Sequence, residues 1–159
     1  MKFRIEEKEA FEVFGLEKPA GISPSDFWTQ AHRAGQYQKL FFDAGGSGNP
    51  DAESPGVGVV NGMGNYEVPG DYMIFAFGRK GCRTEGYRIV HVPKATWAVF
   101  QGRQAGHPAK YIGKLYAQGY KKWLPRSGYL RAPGPDMEIY SVAGNGKHYD
   151  EVWIPVTKA

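Results

Sequence analysis

The chain alternates two kinds of hydrophobic pattern. Period-two alternation of apolar and polar residues, which is typical of half-buried strands, gives way twice to apolar spacings of three and four, which are typical of one helix face. The strand pattern occupies residues 10–17, 56–63, 71–78, 86–102 with a bend at Pro93-Lys94, 135–142 and 149–158. The predicted order is therefore strand, helix, strand, strand, and then the same order again.

The first helix is predicted over residues 24–44. Ser23 is a good N-cap and Pro24 suits the first helical position, while Asp26 places a carboxylate in the first turn. Apolar residues then recur at helical spacing until Gly45-Gly46 ends the pattern. We predict one continuous helix here, despite Gly35.

The second helix is predicted to begin at Pro108 and to end before Pro125. One face of it is apolar and is formed by Ile112, Leu115, Tyr116, Gly119, Tyr120 and Trp123. Its tyrosines are expected to be core residues, as such stripes usually are. We predict one domain over residues 1–159, with a first pseudo-repeat at about 1–80 and a second at about 86–159.

Two βαββ units can join their strands into one curved antiparallel sheet with both helices on one face, which is an α+β fold. The second face should then be polar or should curve around something. Both faces of the strand at 71–78 are apolar, since Tyr72, Ile74 and Ala76 alternate with Met73, Phe75 and Phe77. We therefore expect a concave, aromatic-lined groove between the halves, on the face without helices.

Composition removes several function classes. A net charge of +4 is small for a nucleic-acid binder of this length, so no direct nucleic-acid contact is expected. The single cysteine, Cys82, excludes an intramolecular disulfide and a cysteine-cluster metal site, and the histidines show no metal-ligand spacing. No signal-peptide pattern or membrane span is present in the sequence. We expect a cytoplasmic protein without metal, cofactor or membrane contact.

Several segments in a fixed order carry a family resemblance. They are HVPKATWAVFQG, a helix ending in Trp123-Leu124-Pro125, the strand PDMEIY with its Glu-x-Tyr pattern, and the closing EVWIPV. This order resembles the GyrI-like or AraC-type effector-binding domain family over nearly the whole chain. The resemblance implies a tandem βαββ fold whose groove holds hydrophobic, often cationic, small molecules. It also implies that Glu138, which matches the family's acidic strand residue, is the partner of the cation.

Glu138 and Tyr140 point to the same face of their strand. We expect Met137 and Ile139 to face the helices, which would place Glu138 in the groove. With the strand turned the other way, Glu138 would face the helices and this interpretation would fail. The pattern alone leaves open that Glu138 simply pairs with an internal arginine or tyrosine, or lies on a solvated face.

Aromatic residues on the bordering elements are candidates for the groove wall, although each is about as often a core residue. The predicted ligand-binding residues are Glu138, Tyr140, Trp97, Tyr72, Phe75, Trp123 and Trp153.

The resemblance leaves three functions open. The first is a binding domain for a hydrophobic or cationic small molecule, acting as a sensor or regulator of transcription without its own helix-turn-helix module, since these residues leave no room for one. The second is a hydrolase of cyclopropane-type electrophilic toxins that uses Glu138 as general base, with Tyr140 orienting the water. The third is a gyrase-inhibitor-like module that binds a protein partner.

Overall fold

The structure is a computed structural model that describes residues 2–46, 57–61, 72–103, 108–144 and 147–159. Its strands are β1 Lys2–Lys8, β2 Phe11–Glu17, β3 Val57–Asn61, β4 Tyr72–Ala76, β5 Arg88–Val92, β6 Ala95–Arg103, β7 Tyr129–Arg131, β8 Asp136–Gly144 and β9 Lys147–Lys158. Its helices are α1 Pro24–Arg33, α2 Gln36–Asp43 and α3 Pro108–Ala117, the last followed by a π-helical turn, Gln118–Trp123, and a 3-10 turn, Leu124–Arg126. The predicted α+β class is confirmed.

The strands form one antiparallel sheet in the order β1-β6-β9-β8-β3-β4-β2-β5, and β7 pairs with β9 beside this path. The order is symmetric about the central β8–β3 pair. Outward from this pair, β8 is followed by β9, β6 and β1, while β3 is followed by β4, β2 and β5. Each half of the chain contributes its leading strand to the other half. Strand β1 precedes the first half but pairs with β6 of the second, and β5 precedes the second half but pairs with β2 of the first.

The helices cover one face of this sheet, as predicted. A first cluster, which includes Phe27 and Phe41, packs α1 and α2 on β2, β3 and β4. A second cluster packs α3 on β6 and β9 through Ile112 and Leu115. Tyr140 of β8 contacts both clusters, so β8 runs along the boundary between the two helical units.

The opposite face of the sheet is closed by its own strands. Its core consists only of strand residues among those described, and the ring of Phe11 in β2 meets that of Trp153 in β9 at 6.2 Å. These two strands lie far apart in the sheet order, so the sheet must curve strongly around this core. The expectation of a groove on this face was wrong, because sheet curvature covers the apolar residues without helices.

Met137 and Ile139 belong to that strand-only core and are almost fully buried. The expectation that they face the helices was therefore wrong. Because side chains alternate along a strand, Glu138 and Tyr140 lie on the helix-covered face. The interpretation of Glu138 as a residue of a groove on the face without helices therefore fails. Glu138 and Tyr140 lie instead at the boundary between the two helical units.

The helix predicted over 24–44 is two helices. Ser23 is confirmed as the N-cap, since its Oγ accepts a hydrogen bond from the Asp26 amide at 3.0 Å. Gly35, between α1 and α2, has a φ of 70° in the left-handed region, where glycine carries no steric penalty and a helix commonly ends. The predicted loop at 45–56 lies outside the described residues from position 47 onward.

Further differences concern strands. The segment 86–102 forms two strands, β5 and β6, separated at Pro93-Lys94, because proline cannot donate to the ladder. Strands β1 and β7 are not among the predicted strands. No helix that the structure describes is both long and apolar enough to cross a membrane.

Candidate functional site

Glu138 is buried at the centre of the sheet. Its residue exposure is 5%, and its neighbours across the ladder are Val59 of β3 and Val152 of β9. Burying a carboxylate without partners is strongly unfavourable. The polar groups around Glu138 therefore decide what this position can do.

Three neutral donors contact the carboxylate. The Tyr140 hydroxyl donates to Oε1 at 2.5 Å, while the Tyr116 hydroxyl and the Asn61 amide donate to Oε2 at 2.9 Å and 3.3 Å. Among the described residues, no lysine, arginine or histidine pairs with Glu138. The carboxylate is thus held by hydrogen bonds while its charge is not balanced by any of them.

Aromatic rings from both sides of the boundary adjoin this carboxylate or its donor Tyr140. On the α1 side, the Trp28 ring lies 5.9 Å from the Tyr140 ring, and Trp28 Nε1 donates to the Tyr72 hydroxyl at 2.7 Å. On the α3 side lies Tyr116. The Glu138 site is defined here by these residues: Trp28, Asn61, Tyr72, Tyr116, Glu138 and Tyr140.

Burial governs the protonation of the site. It raises the pKa of Glu138, although the hydrogen bonds from Tyr140, Tyr116 and Asn61 lower it again in part. Burial and the neighbouring Glu138 charge also raise the pKa of the Tyr116 and Tyr140 hydroxyls. The tyrosines therefore stay neutral and act as hydrogen-bond donors.

A second buried carboxylate, Asp136, lies two residues earlier on the same face of β8. The Tyr120 hydroxyl donates to both of its oxygens, at 2.8 Å and 2.7 Å. Arg131 Nη2 donates to Oδ1 at 3.0 Å and forms a salt bridge. Burial raises the pKa of Tyr120 to about 12, so it too remains protonated.

The two carboxylates thus have parallel surroundings. The rings of Tyr116 and Tyr120, one turn apart on the helical segment, stack at 6.4 Å with 14° between their planes. Each tyrosine donates to one carboxylate on β8. What differs is the cation, since Asp136 has Arg131 and Glu138 has none among the described residues.

Residues 4–156 match the family Cass2, described as integron-associated effector-binding proteins. The chain belongs to the Cass2 family. This family and the fold identify a small-molecule-binding domain, and they confirm the resemblance to GyrI-like effector-binding domains. No curated protein matches the sequence.

Solved structures share the fold of this Cass2 chain at low identity. A Staphylococcus aureus MU50 protein, assigned provisionally to bacterial transcription regulation, is 16% identical with a TM-score of 0.64, covering 99% of each chain. The protein SAV2435, solved bound to tetraphenylphosphonium, is 16% identical with a TM-score of 0.63, covering 99% of this chain and 94% of its own. The C-terminal domain of EcmrR is 16% identical with a TM-score of 0.57, covering 99% of this chain and 98% of its own.

The structure brings together part of the predicted site of the Cass2 chain. Glu138, Tyr140 and Tyr72 adjoin one another, and the Glu138 charge contributes to a raised Tyr72 pKa, of which burial is the main cause. Three of the other candidates, Phe75, Trp97 and Trp153, lie in the strand-only core on the opposite face of the sheet. Trp123 packs against Phe3, Phe100 and Tyr129, away from these contacts with Glu138.

Three residues of the site were missed in the sequence. Tyr116 was assigned to the core because it lies on the apolar stripe of its helix, yet its hydroxyl reaches Glu138. Trp28 lies within the predicted first helix and Asn61 within the predicted strand 56–63, and neither was assigned to the site. The available signal was chemical, since a tyrosine hydroxyl, an indole N–H and an amide on buried faces all require partners.

A pH dependence of stability follows from the raised Glu138 pKa. The folded chain binds this proton more tightly than the unfolded chain, whose glutamate has a pKa near 4.5. The contribution of Glu138 to the free energy of unfolding is therefore largest below that pH and is lost as pH rises through the folded pKa.

In Glu138→Gln this dependence should be reduced. It should not vanish, because burial also raises the pKa of Asp136. Urea unfolding of both proteins from about pH 4 to about pH 8 measures the difference, with the variant gaining stability relative to wild type as pH rises. Parallel curves would contradict the raised pKa.

Proposed function

We propose that this Cass2-family domain binds a hydrophobic cation in the Glu138 site, with the carboxylate as the charge partner. The observation that carries the proposal is the contrast between two neighbouring carboxylates. Asp136 is neutralised by Arg131, whereas Glu138 has only neutral donors among the described residues. A ligand cation would give Glu138 the counter-charge that Arg131 gives Asp136.

The surrounding rings support a hydrophobic cation over a small hydrated one. Aromatic faces attract a delocalised cation by about 0.5 to 2 kcal/mol each, depending on desolvation. Tyr116 and Tyr140 donate to Glu138, the Trp28 ring packs against Tyr140, and Tyr72 accepts from Trp28. The four rings come from four different elements. Their hydroxyl and indole groups are engaged with one another or with Glu138, which leaves ring faces as the main ligand contacts.

The structural relative bound to tetraphenylphosphonium supports the same ligand class. That compound is a lipophilic monocation. The provisional assignment of the Staphylococcus aureus protein to transcription regulation supports a role as a sensor. We include in the proposal that ligand binding by this domain regulates transcription.

Calorimetric titration with tetraphenylphosphonium tests the proposal. We expect saturable binding by wild type and a loss of at least about tenfold in affinity in Glu138→Gln, because the variant keeps the shape of the side chain but removes the counter-charge.

Glu151→Gln provides the matched control. Glu151 is also a buried glutamate, 2% exposed, but it lies on β9 with Arg4 as its own cation, and it accepts hydrogen bonds from Gln101 and Trp153. Its substitution should leave affinity unchanged. Equal affinities for wild type and Glu138→Gln would refute the role of Glu138, and no binding by wild type would refute the ligand class.

A further inference from the structure

We propose that Arg131, by neutralising Asp136, restricts the Glu138 site to ligands with a single positive charge. The inference rests on the proposed function, because it concerns which cations the same site accepts. It makes Arg131 a residue that determines specificity without touching the ligand.

Arg131 is held firmly in place. Its Nε donates to the Tyr120 hydroxyl at 2.9 Å, and its Nη2 donates to Asp136 Oδ1 at 3.0 Å and to the Gly134 carbonyl at 2.7 Å. Its Nη1 donates to the Ala132 carbonyl at 2.5 Å. A guanidinium fixed by four acceptors cannot swing away to make room for a ligand charge.

The charges of Arg131, Asp136 and Glu138 then sum to a single negative charge. Arg131 and Asp136 cancel, and Glu138 contributes a single negative charge at neutral pH when a cation is present. Two residues on one strand face are roughly 7 Å apart, so both carboxylates lie within the reach of one two-ring ligand. The second charge of a dication would meet the Arg131–Asp136 pair rather than a free carboxylate.

The two stacked tyrosines, Tyr116 and Tyr120, support this arrangement of charges. Tyr116 and Tyr120 stack in parallel and anchor Glu138 and Asp136 respectively, so the two carboxylates are presented alike to the same helical segment. If Arg131 were absent, Asp136 would resemble Glu138, held by a tyrosine and lacking a cation. The chain would then present two negative charges at a spacing that suits a dication.

Competition against bound tetraphenylphosphonium tests the inference with two ligands of matched shape. One is methyl viologen, a dication of two linked pyridinium rings. The other is its one-charge counterpart, in which a tolyl ring replaces one N-methylpyridinium ring. For wild type we expect the one-charge compound to displace tetraphenylphosphonium at a concentration at least about tenfold lower than methyl viologen does.

Substitutions at Arg131 should move this preference. In Arg131→Gln, the affinity for methyl viologen should rise at least about tenfold relative to the affinity for its one-charge counterpart, because Asp136 becomes available to the second charge. Arg131→Lys keeps the charge and should keep the wild-type preference. Arg131→Gln combined with Asp136→Asn should lose the gain, since no second carboxylate remains.

A structural role for Arg131 predicts a different pattern. If Arg131 has only a structural role, Arg131→Gln should weaken the binding of both ligands equally, and adding Asp136→Asn should not reverse the change. Absence of any gain for methyl viologen in Arg131→Gln overturns the inference, whereas failure of wild type to bind tetraphenylphosphonium overturns the proposed function instead.

Asp136→Asn alone keeps the inference open to refutation if Arg131→Gln does not fold. This variant leaves Arg131 unneutralised beside the site. Affinity for tetraphenylphosphonium should fall by about tenfold, although Glu138 is intact. Unchanged affinity in a folded Asp136→Asn protein would show that the charge on this pair does not reach the ligand.

Discussion

Replacing Gly58 by alanine is expected to destabilise the chain by about 3 kcal/mol or more, because a backbone position in the central β3–β8 pair has no room for a side chain. A Cβ at Gly58 would lie 2.0 Å from the backbone oxygen of Glu138 and 2.8 Å from Cζ of Phe75. The Phe75 ring can shift, but the oxygen belongs to the neighbouring strand. Relief therefore requires β3 and β8 to separate locally, which would also displace Glu138.

Urea unfolding monitored by circular dichroism measures this loss. Gly113→Ala is the control, because Gly113 lies exposed in α3 and its Cβ would meet no atom within 4 Å. Alanine in a helix is favoured over glycine by about 0.8 to 1 kcal/mol, so the control should stabilise the chain. A Gly58→Ala protein as stable as wild type would show that the β3–β8 contact is looser than the structure has it.

Replacing Trp97 by alanine should cost about 3 to 5 kcal/mol of stability, as expected for a large residue in a packed core. Trp97 is 1% exposed and packs against Trp153 at 5.8 Å between ring centroids, within the strand-only core. Its Nε1 is buried without a hydrogen-bond partner among the described residues. Trp97→Phe removes that donor and keeps a ring, so it should cost much less, within about 1.5 kcal/mol.

Ligand affinity separates this core role from a role in the site. Tetraphenylphosphonium should bind Trp97→Phe as it binds wild type, since Trp97 lies on the face of the sheet opposite Glu138. A folded Trp97→Phe protein with clearly weakened binding would place Trp97 in the ligand contact after all. Calorimetry on protein first shown to be folded by thermal unfolding gives the comparison.

The sequence predicted the elements better than it predicted which face each element presents. Ser23 with Pro24, and the alternation in β2, β4 and β9, depend on local chemistry, and they were read correctly. The break at Gly35 was missed because helical spacing continues across it, and one left-handed residue does not interrupt that spacing. Such a break is decided by how the second helix packs, which local pattern does not encode.

The facing of β8 could not be read from its own residues. Both faces of the strand are buried, so Met137 and Ile139 looked equally suited to a helix or to a sheet curved on itself. The curvature depends on pairings between residues far apart in the chain. For the same reason the sequence grouped Glu138, Tyr140 and Tyr72, which lie near one another in the structure, with three aromatic residues of the strand-only core.

The exchange of leading strands has a consequence for how the chain folds. Strand β1 pairs with β6, so residues 2–8 cannot form these hydrogen bonds until residues 95–101 are available. Pairings so distant in sequence are formed late and slowly, because the loop entropy must be overcome first. During synthesis on the ribosome, β1 therefore emerges well before its partner exists. Strand β1 is thus expected to be among the last strands to pair during folding.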